Sequence, residues 1–284
     1  MLIEDLTTID NFINEKQIQP AQGKTDGNIL VLGGSPGSGK NWVIENLTDV
    51  KNRYKIFDVD AILEMAAKME KSKFKDNFRK YLIELDDKIL SKEMVQHLDK
   101  EGILGFIKNY QRDIYQDTLR DFIQEKRYVA NSKINFMLST LYGNKPNVAL
   151  NGTFRHTETI EDDIKLLSEV GYDTKNSIDY LFILNTEQEA LSNANKRSTE
   201  TRKVDNKFLI DARDSMIKNL LSLIEGTSPL SNTVRYVYVV FNAKETISYY
   251  DDEKTVKDFN YIKLKLSDKD KVEKLINLIK NEYA

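Results

Sequence analysis

Apolar residues recur along this chain with two different periods. Leu2, Leu6, Ile9 and Ile13 stand four, three and four residues apart, which predicts an amphipathic helix, and a polar connector from Gln19 to Gly27 follows it. The period then changes. Ile29 to Leu32 is a short continuous apolar run closed by Gly33-Gly34, after which Trp42, Val43, Ile44 and Leu47 resume a helical spacing. That order is strand, glycine-rich turn, helix. Further buried strands are expected at 54–58, 148–151, 178–185 and 234–242, with helical patterns at 158–170, 186–196 and 208–225 between them. Strands alternating with helices predict an α/β fold of three layers, helices on both faces of a largely parallel five-stranded sheet. Ile262, Leu264 and Leu266 alternate with lysines as an edge strand does. Ser267 and Asp270 are read as caps of a closing helix that turns Val272, Leu275, Ile276 and Ile279 one way.

The stretch 61–142 interrupts the alternation, being charged and helix-like almost throughout. It reads as a helical insertion after the second strand, one of whose helices gathers Phe106, Tyr110, Ile114, Leu119 and Phe122 on one side for packing against the sheet domain, with substrate binding by its polar face as the alternative. The expected organisation is a helix and connector over 1–27 and one domain over 28–284, carrying that insertion and a lid at about 197–206.

Composition narrows the chemistry. The 284 residues carry a net charge of −3, with 31% charged and 40% hydrophobic residues, the profile of an ordinary globular protein with no basic excess for bulk nucleic-acid binding. There is no cysteine, and His97 and His156 are the only histidines, so thiolate chemistry and a histidine-rich metal centre are excluded. The longest apolar runs, such as Tyr236 to Phe241, fall far short of the roughly 18 residues a membrane span needs. A cytoplasmic protein without a signal peptide is expected.

Against this background the segment Gly34, Ser35, Pro36, Gly37, Ser38, Gly39, Lys40 matches the phosphate-binding pattern G-x-x-x-x-G-K. Its glycines let backbone N–H groups turn around phosphate oxygens while the lysine neutralises their charge. A purely structural glycine turn is the competing explanation. Asn41 stands where Ser or Thr normally offers a hydroxyl to Mg²⁺; an amide oxygen can coordinate Mg²⁺, directly or through water. The second strand ends Phe57-Asp58-Val59-Asp60, whose alternation puts two carboxylates on one face at the sheet edge where the glycine loop emerges. Asp60 suits a general base, Asp58 a metal or substrate contact, and a helix N-cap is the alternative for either. Arg155, in Asn151-Gly-Thr-Phe-Arg155 after the third strand, is a candidate substrate clamp or a surface arginine. Lys196, Arg197, Arg202 and Lys203 form a basic segment placed to close over a transferring phosphoryl group, with a solvated charge run as the alternative.

Taken in order and spacing over roughly residues 29–225, these motifs resemble the zeta-toxin-like P-loop kinases, including phage-type members, and are also similar to the kinase domain of phage polynucleotide kinases. The resemblance implies a P-loop kinase fold using ATP and Mg²⁺. It gives Lys40 to the ATP phosphates, Asp60 to the acceptor hydroxyl as base, and Arg197 and Arg202 to stabilising transfer. Zeta toxins phosphorylate UDP-N-acetylglucosamine and carry glutamates where this chain has Asn135 and Asn151, so the acceptor determinants are altered. The expected acceptor is a small nucleotide-like molecule, with a nucleic-acid 5′-hydroxyl as the alternative. A nucleotide-binding module without catalysis is a reading of a different class, motivated by Asn41 and the insertion. A protein partner is left open. GTPase switching is disfavoured, since no Asn-Lys-x-Asp element stands in the expected place.

Overall fold

A computed structural model describes residues 26–46, 50–58, 96, 98, 145–198, 205–241 and 261–283. The expected N-terminal helix, Asp60, Arg202, Asn135 and nearly all of 61–142 lie outside these residues. The chain forms two compact units. One comprises Met1–Gln19, Asp58–Ile134 and Asn195–Val204; the other comprises Pro20–Phe57, Asn135–Ala194 and Asp205–Ala284. In the first, Gln96 and Leu98 are helical, and Leu98 is fully buried.

In the second, strand β1 (Ile29–Gly33) leads into helix α1 (Lys40–Asn46), followed by the short helix α2 (Val50–Arg53) and then β2 (Lys55–Asp58), whose last residue counts with the first unit. After the insertion come β3 (Val148–Asn151), α3 (Thr157–Glu169), β4 (Ile178–Leu184), α4 (Glu187–Ser198) and α5 (Asn206–Glu225). A 3-10 turn over Pro229–Thr233 then leads to β5 (Val234–Phe241), β6 (Tyr261–Leu264) and α6 (Lys269–Glu282). The strand order is β2-β3-β1-β4-β5-β6. β1 pairs in parallel with β3 and β4, and β4 with β5, while β6 joins β5 antiparallel as the sixth strand. The architecture is thus the expected mixed α/β one with a mostly parallel sheet, but of six strands where five were expected, because the edge strand after residue 260 pairs with β5 and extends the sheet.

The central strands explain why the sequence was readable. Every residue of β1 and of β4 is buried, the mark of parallel strands covered on both faces, so β1 reads as an unbroken apolar run and β4 as one broken only by Asp179. On one face Leu30, Leu32, Ala149, Leu181 and Ile183 pack with Val43, Ile44 and Val50 of the two short helices. Helix α5 starts where Asp205 accepts from the N–H groups of Lys207 and Phe208, and ends at Gly226 in the left-handed region, φ +80°. It buries Leu209, Met216, Leu220 and Leu223 and packs on α6. The cap of α6 is a correction to the sequence reading: Asp268, not Ser267 or Asp270, accepts from Lys271 N–H. At the end of the sheet remote from the glycine loop, Arg235 of β5 holds Asp179 of β4 with two hydrogen bonds, 2.9 and 2.7 Å, and reaches Asn28 Oδ1 at 3.2 Å.

One carboxyl group is placed against its own chemistry. Asp163, half-buried on α3 and without a cationic partner among the described residues, has its pKa pushed up to about 7 by desolvation and then by neighbouring Asp162. The folded state therefore holds this proton more tightly than the unfolded chain. Its contribution to stability is full below the ordinary carboxyl range near pH 4 and is lost as pH rises through about 7. Asp163→Asn is expected to match the wild type near pH 4 and to melt a few degrees higher at pH 8. Thermal melts across that interval check it, and equal melting temperatures at pH 8 would count against the burial argument.

Candidate functional site

The chain runs from β1 to β2 and β3 on one side, then crosses to β4 and β5 on the other. The order therefore reverses at β1, and a crevice at the carboxyl ends of the strands there is where open α/β sheets take ligands. The glycine loop occupies this place. Gly37 and Gly39 both have φ +79°, in the region L side chains avoid, and Ser38 N–H donates to Ser35 O at 3.0 Å to close the turn. At Gly37 a side chain is also excluded by contact, since a Cβ would stand 2.4 Å from the Ala190 carbonyl oxygen of α4. Lys40, the first residue of α1, lays its Nζ 2.6 Å from Gly152 O at the end of β3. The lysine thus lies across the crevice between the two strands.

This loop fits a polyphosphate. Ser35 is buried and its Oγ has no hydrogen-bond partner among the described residues, a donor that a phosphate oxygen satisfies. At Gly34 a Cβ would meet Ser38 Oγ at 2.7 Å, so the packing of the loop on itself excludes a side chain there. Pro36 and Gly39 complete the turn, and Asn41 follows Lys40 as an exposed residue of α1. Trp42 beside it is 55% exposed and is the only tryptophan in the chain.

The segment after β3 is the second arm of the site. Phe154 is non-glycine yet left-handed, φ +57°, an uncommon conformation for a bulky residue. Its ring is fully buried edge-on to Phe182, with centroids 4.7 Å apart, and to Tyr180, 6.1 Å apart. Tyr180 in turn shares a hydrogen with Thr233 Oγ1 at 2.7 Å, and burial raises its pKa. Asn219 of α5 donates to both the Phe154 and the Arg155 carbonyls at 3.0 Å, so the strained backbone is held from the helix. Arg155 then projects half-buried, its guanidinium 5.1 Å from the centroid of the Phe208 ring. It has no carboxylate partner among the described residues.

Of the residues singled out by sequence, Gly34 to Lys40 and Arg155 are therefore placed around the carboxyl ends of β1 and β3. Asp58 is the half-buried last residue of β2, and Arg197 lies in the last turn of α4. Sequence reasoning missed Asn185, Asn193, Phe154, Phe208 and Asn219. The first two both donate to Gly37 O, at 3.1 and 3.0 Å. A faint signal for Asn193 was available: it is a weak helix former in the middle of a helix.

Fold and loop define the class as an α/β protein with a P-loop-type strand, turn and helix, in agreement with the resemblance to zeta-toxin-like P-loop kinases. No family model matches the chain, and no curated protein matches it. Among solved structures, a chain of the PezAT chromosomal toxin-antitoxin system of Streptococcus pneumoniae is similar over 84% of this chain and 76% of its own. The identity is 14% and the TM-score 0.46. A chain of the AvrRxo1-ORF1:AvrRxo1-ORF2 complex with sulphate ions is similar over 84% of this chain and 62% of its own, at 13% identity and a TM-score of 0.45. The same complex with ATP gives 84%, 60%, 13% and 0.40. This chain spans less than two thirds of the AvrRxo1 chains it matches. Among the described residues no helix is long and apolar enough to cross a membrane.

Proposed function

We propose that this chain transfers the γ-phosphoryl group of ATP to a hydroxyl of a small, nucleotide-like acceptor. The observation that carries this reading is the Gly34–Lys40 loop at the carboxyl end of β1, with its lysine laid across the crevice onto Gly152 O. Lys40 and the loop N–H groups hold the ATP phosphates. Asp60 accepts the proton of the acceptor hydroxyl as its oxygen bonds to phosphorus, and the bond from phosphorus to the ADP oxygen breaks. Arg197 and Arg202 offset the charge that spreads over the transferring oxygens. Arg155 orients the acceptor through a phosphate.

Mg²⁺ would be held by Asn41 and Asp58. Both offer hard oxygen ligands, and the ion would draw further ligands from phosphate and water. When bound it neutralises phosphate charge.

Incubating the protein with radiolabelled ATP and a set of sugar nucleotides, nucleosides and oligonucleotides tests the proposal, and label is expected on a small molecule. Efficient labelling of oligonucleotide 5′-ends, with affinity falling steeply as salt rises, would reverse the choice of acceptor. Binding of ATP with no acceptor labelled would favour the non-catalytic module suggested by Asn41. Once the acceptor is known, Arg155→Ala is expected to raise its KM by about tenfold or more while leaving the KM for ATP nearly unchanged. Steady-state kinetics with each substrate varied in turn measure this, and equal changes in both constants would remove Arg155 from the acceptor.

A further inference from the structure

We infer that Asn185 and Asn193 are positioning residues for the phosphate loop, which they orient from outside by holding the Gly37 carbonyl, and that Arg213 fixes Asn185 for this task. The inference rests on the nucleotide-binding reading and adds to it the residues that shape the loop.

The Gly37–Ser38 peptide is bonded at both ends. Its carbonyl accepts from Asn185 Nδ2 at 3.1 Å and Asn193 Nδ2 at 3.0 Å, and its N–H donates to Ser35 O at 3.0 Å. Because a trans peptide is planar with C=O and N–H opposed, anchoring the oxygen on the α4 side aims the N–H into the turn. The next peptides, which lead through left-handed Gly39 to Lys40, thus start from a fixed plane. Glycine permits this backbone but does not select it. Two amide donors converging on one loop carbonyl supply the selection.

Neither asparagine is explained by its own element. Asn193 is half-buried inside α4, where asparagine is a weaker helix former than alanine. Asn185 is 1% exposed, and its Oδ1 has no partner among the described residues, so the bond to Gly37 is what sets its amide. The Asn185 backbone is held in turn by Arg213 of α5, whose Nε donates to Asn185 O at 3.2 Å. Arg213 is 6% exposed, and its guanidinium also donates to Tyr283 O, just past α6, and to Asp214 Oδ1. A buried guanidinium satisfied mostly by carbonyls is expensive unless its geometry is used. Here it ties the β4–α4 turn to the end of α6.

If the network serves the phosphates, its loss must be felt in proportion to the phosphates a ligand places in the loop. Asn193→Ala and Asn185→Ala are therefore titrated calorimetrically with ATP, ADP and AMP in the full chain. A drop of about tenfold is expected for ATP and ADP, with little change for AMP and a melting temperature lowered by no more than a few degrees. Arg213→Lys is expected to show a smaller loss of the same pattern, and it stands in for Arg213→Met should that variant not fold. Unchanged ATP affinity in Asn193→Ala, or an equal loss for all three nucleotides, overturns the inference. Failure of the nucleotide reading looks different, because wild-type protein then binds neither ATP nor inorganic tripolyphosphate. In that event hydrogen exchange of the Ser38, Gly39 and Lys40 amides in ligand-free protein decides the inference alone. Faster exchange in Asn193→Ala upholds it, and unchanged exchange overturns it.

Discussion

Replacing Lys40 by alanine is expected to abolish measurable ATP binding. A triphosphate brings several negative charges into a loop whose other donors are neutral N–H groups, and charge-assisted hydrogen bonds are roughly twice as strong as neutral ones. The ammonium also bridges to Gly152 O at 2.6 Å, so alanine removes the tie between the loop and the end of β3 as well as the charge. An affinity loss of two orders of magnitude or more is the expected scale. Trp42, two residues on and exposed, is the only tryptophan, so its fluorescence reports on this neighbourhood, and calorimetry provides the absolute affinity. An unchanged calorimetric affinity would remove the phosphate-loop assignment.

The second large effect separates chemistry from binding. Asp60→Asn retains the shape of the side chain and removes its basicity, so turnover with the identified acceptor should fall by roughly 10²- to 10⁴-fold while ATP affinity changes little. The conservative variant Asp60→Glu should recover part of the rate. Full activity in Asp60→Asn would reduce the residue to a helix cap, the competing role for an aspartate preceding Ala61-Ile62-Leu63.

What could be read from the sequence was whatever repeats locally. β1 and β4 are buried on both faces and so appear as apolar runs, broken only at Asp179 of β4, and α3 and α5 fall within two residues of the expected spans because their buried positions keep a helical spacing. The cap of α6 was misplaced for a local reason as well: Ser267, Asp268 and Asp270 can each serve as N-caps, and propensity does not choose among neighbours. Phe154 gave no sign of its left-handed backbone, because phenylalanine, unlike glycine, does not advertise a positive φ. Asn185 was invisible as a site residue, and Asn193 gave only the faint sign of a weak helix former inside a helix. Their partner Gly37 lies 148 and 156 positions away, and an asparagine at the end of a strand or on a helix looks like ordinary surface.

The same distances govern how the molecule comes to possess a site at all. Asn28, at the entrance to β1, bonds to Asn147 across 119 residues of intervening chain, and Lys40 reaches Gly152 across 112. Strands β4 and β5, with α5 between them, are close in sequence, so the C-terminal half can gather early, whereas seating β1 between β3 and β4 must close very long loops. Insertion of β1 is then the late event of folding, and the phosphate loop and Lys40 arrive with it to meet Asn185 and Asn193, which are already in place. A partly folded chain would keep much of its helix content and none of its phosphate-binding geometry. Recovery of nucleotide binding during refolding should accordingly lag behind recovery of helical circular dichroism, and added ATP should slow unfolding by stabilising only the chain whose sheet is closed.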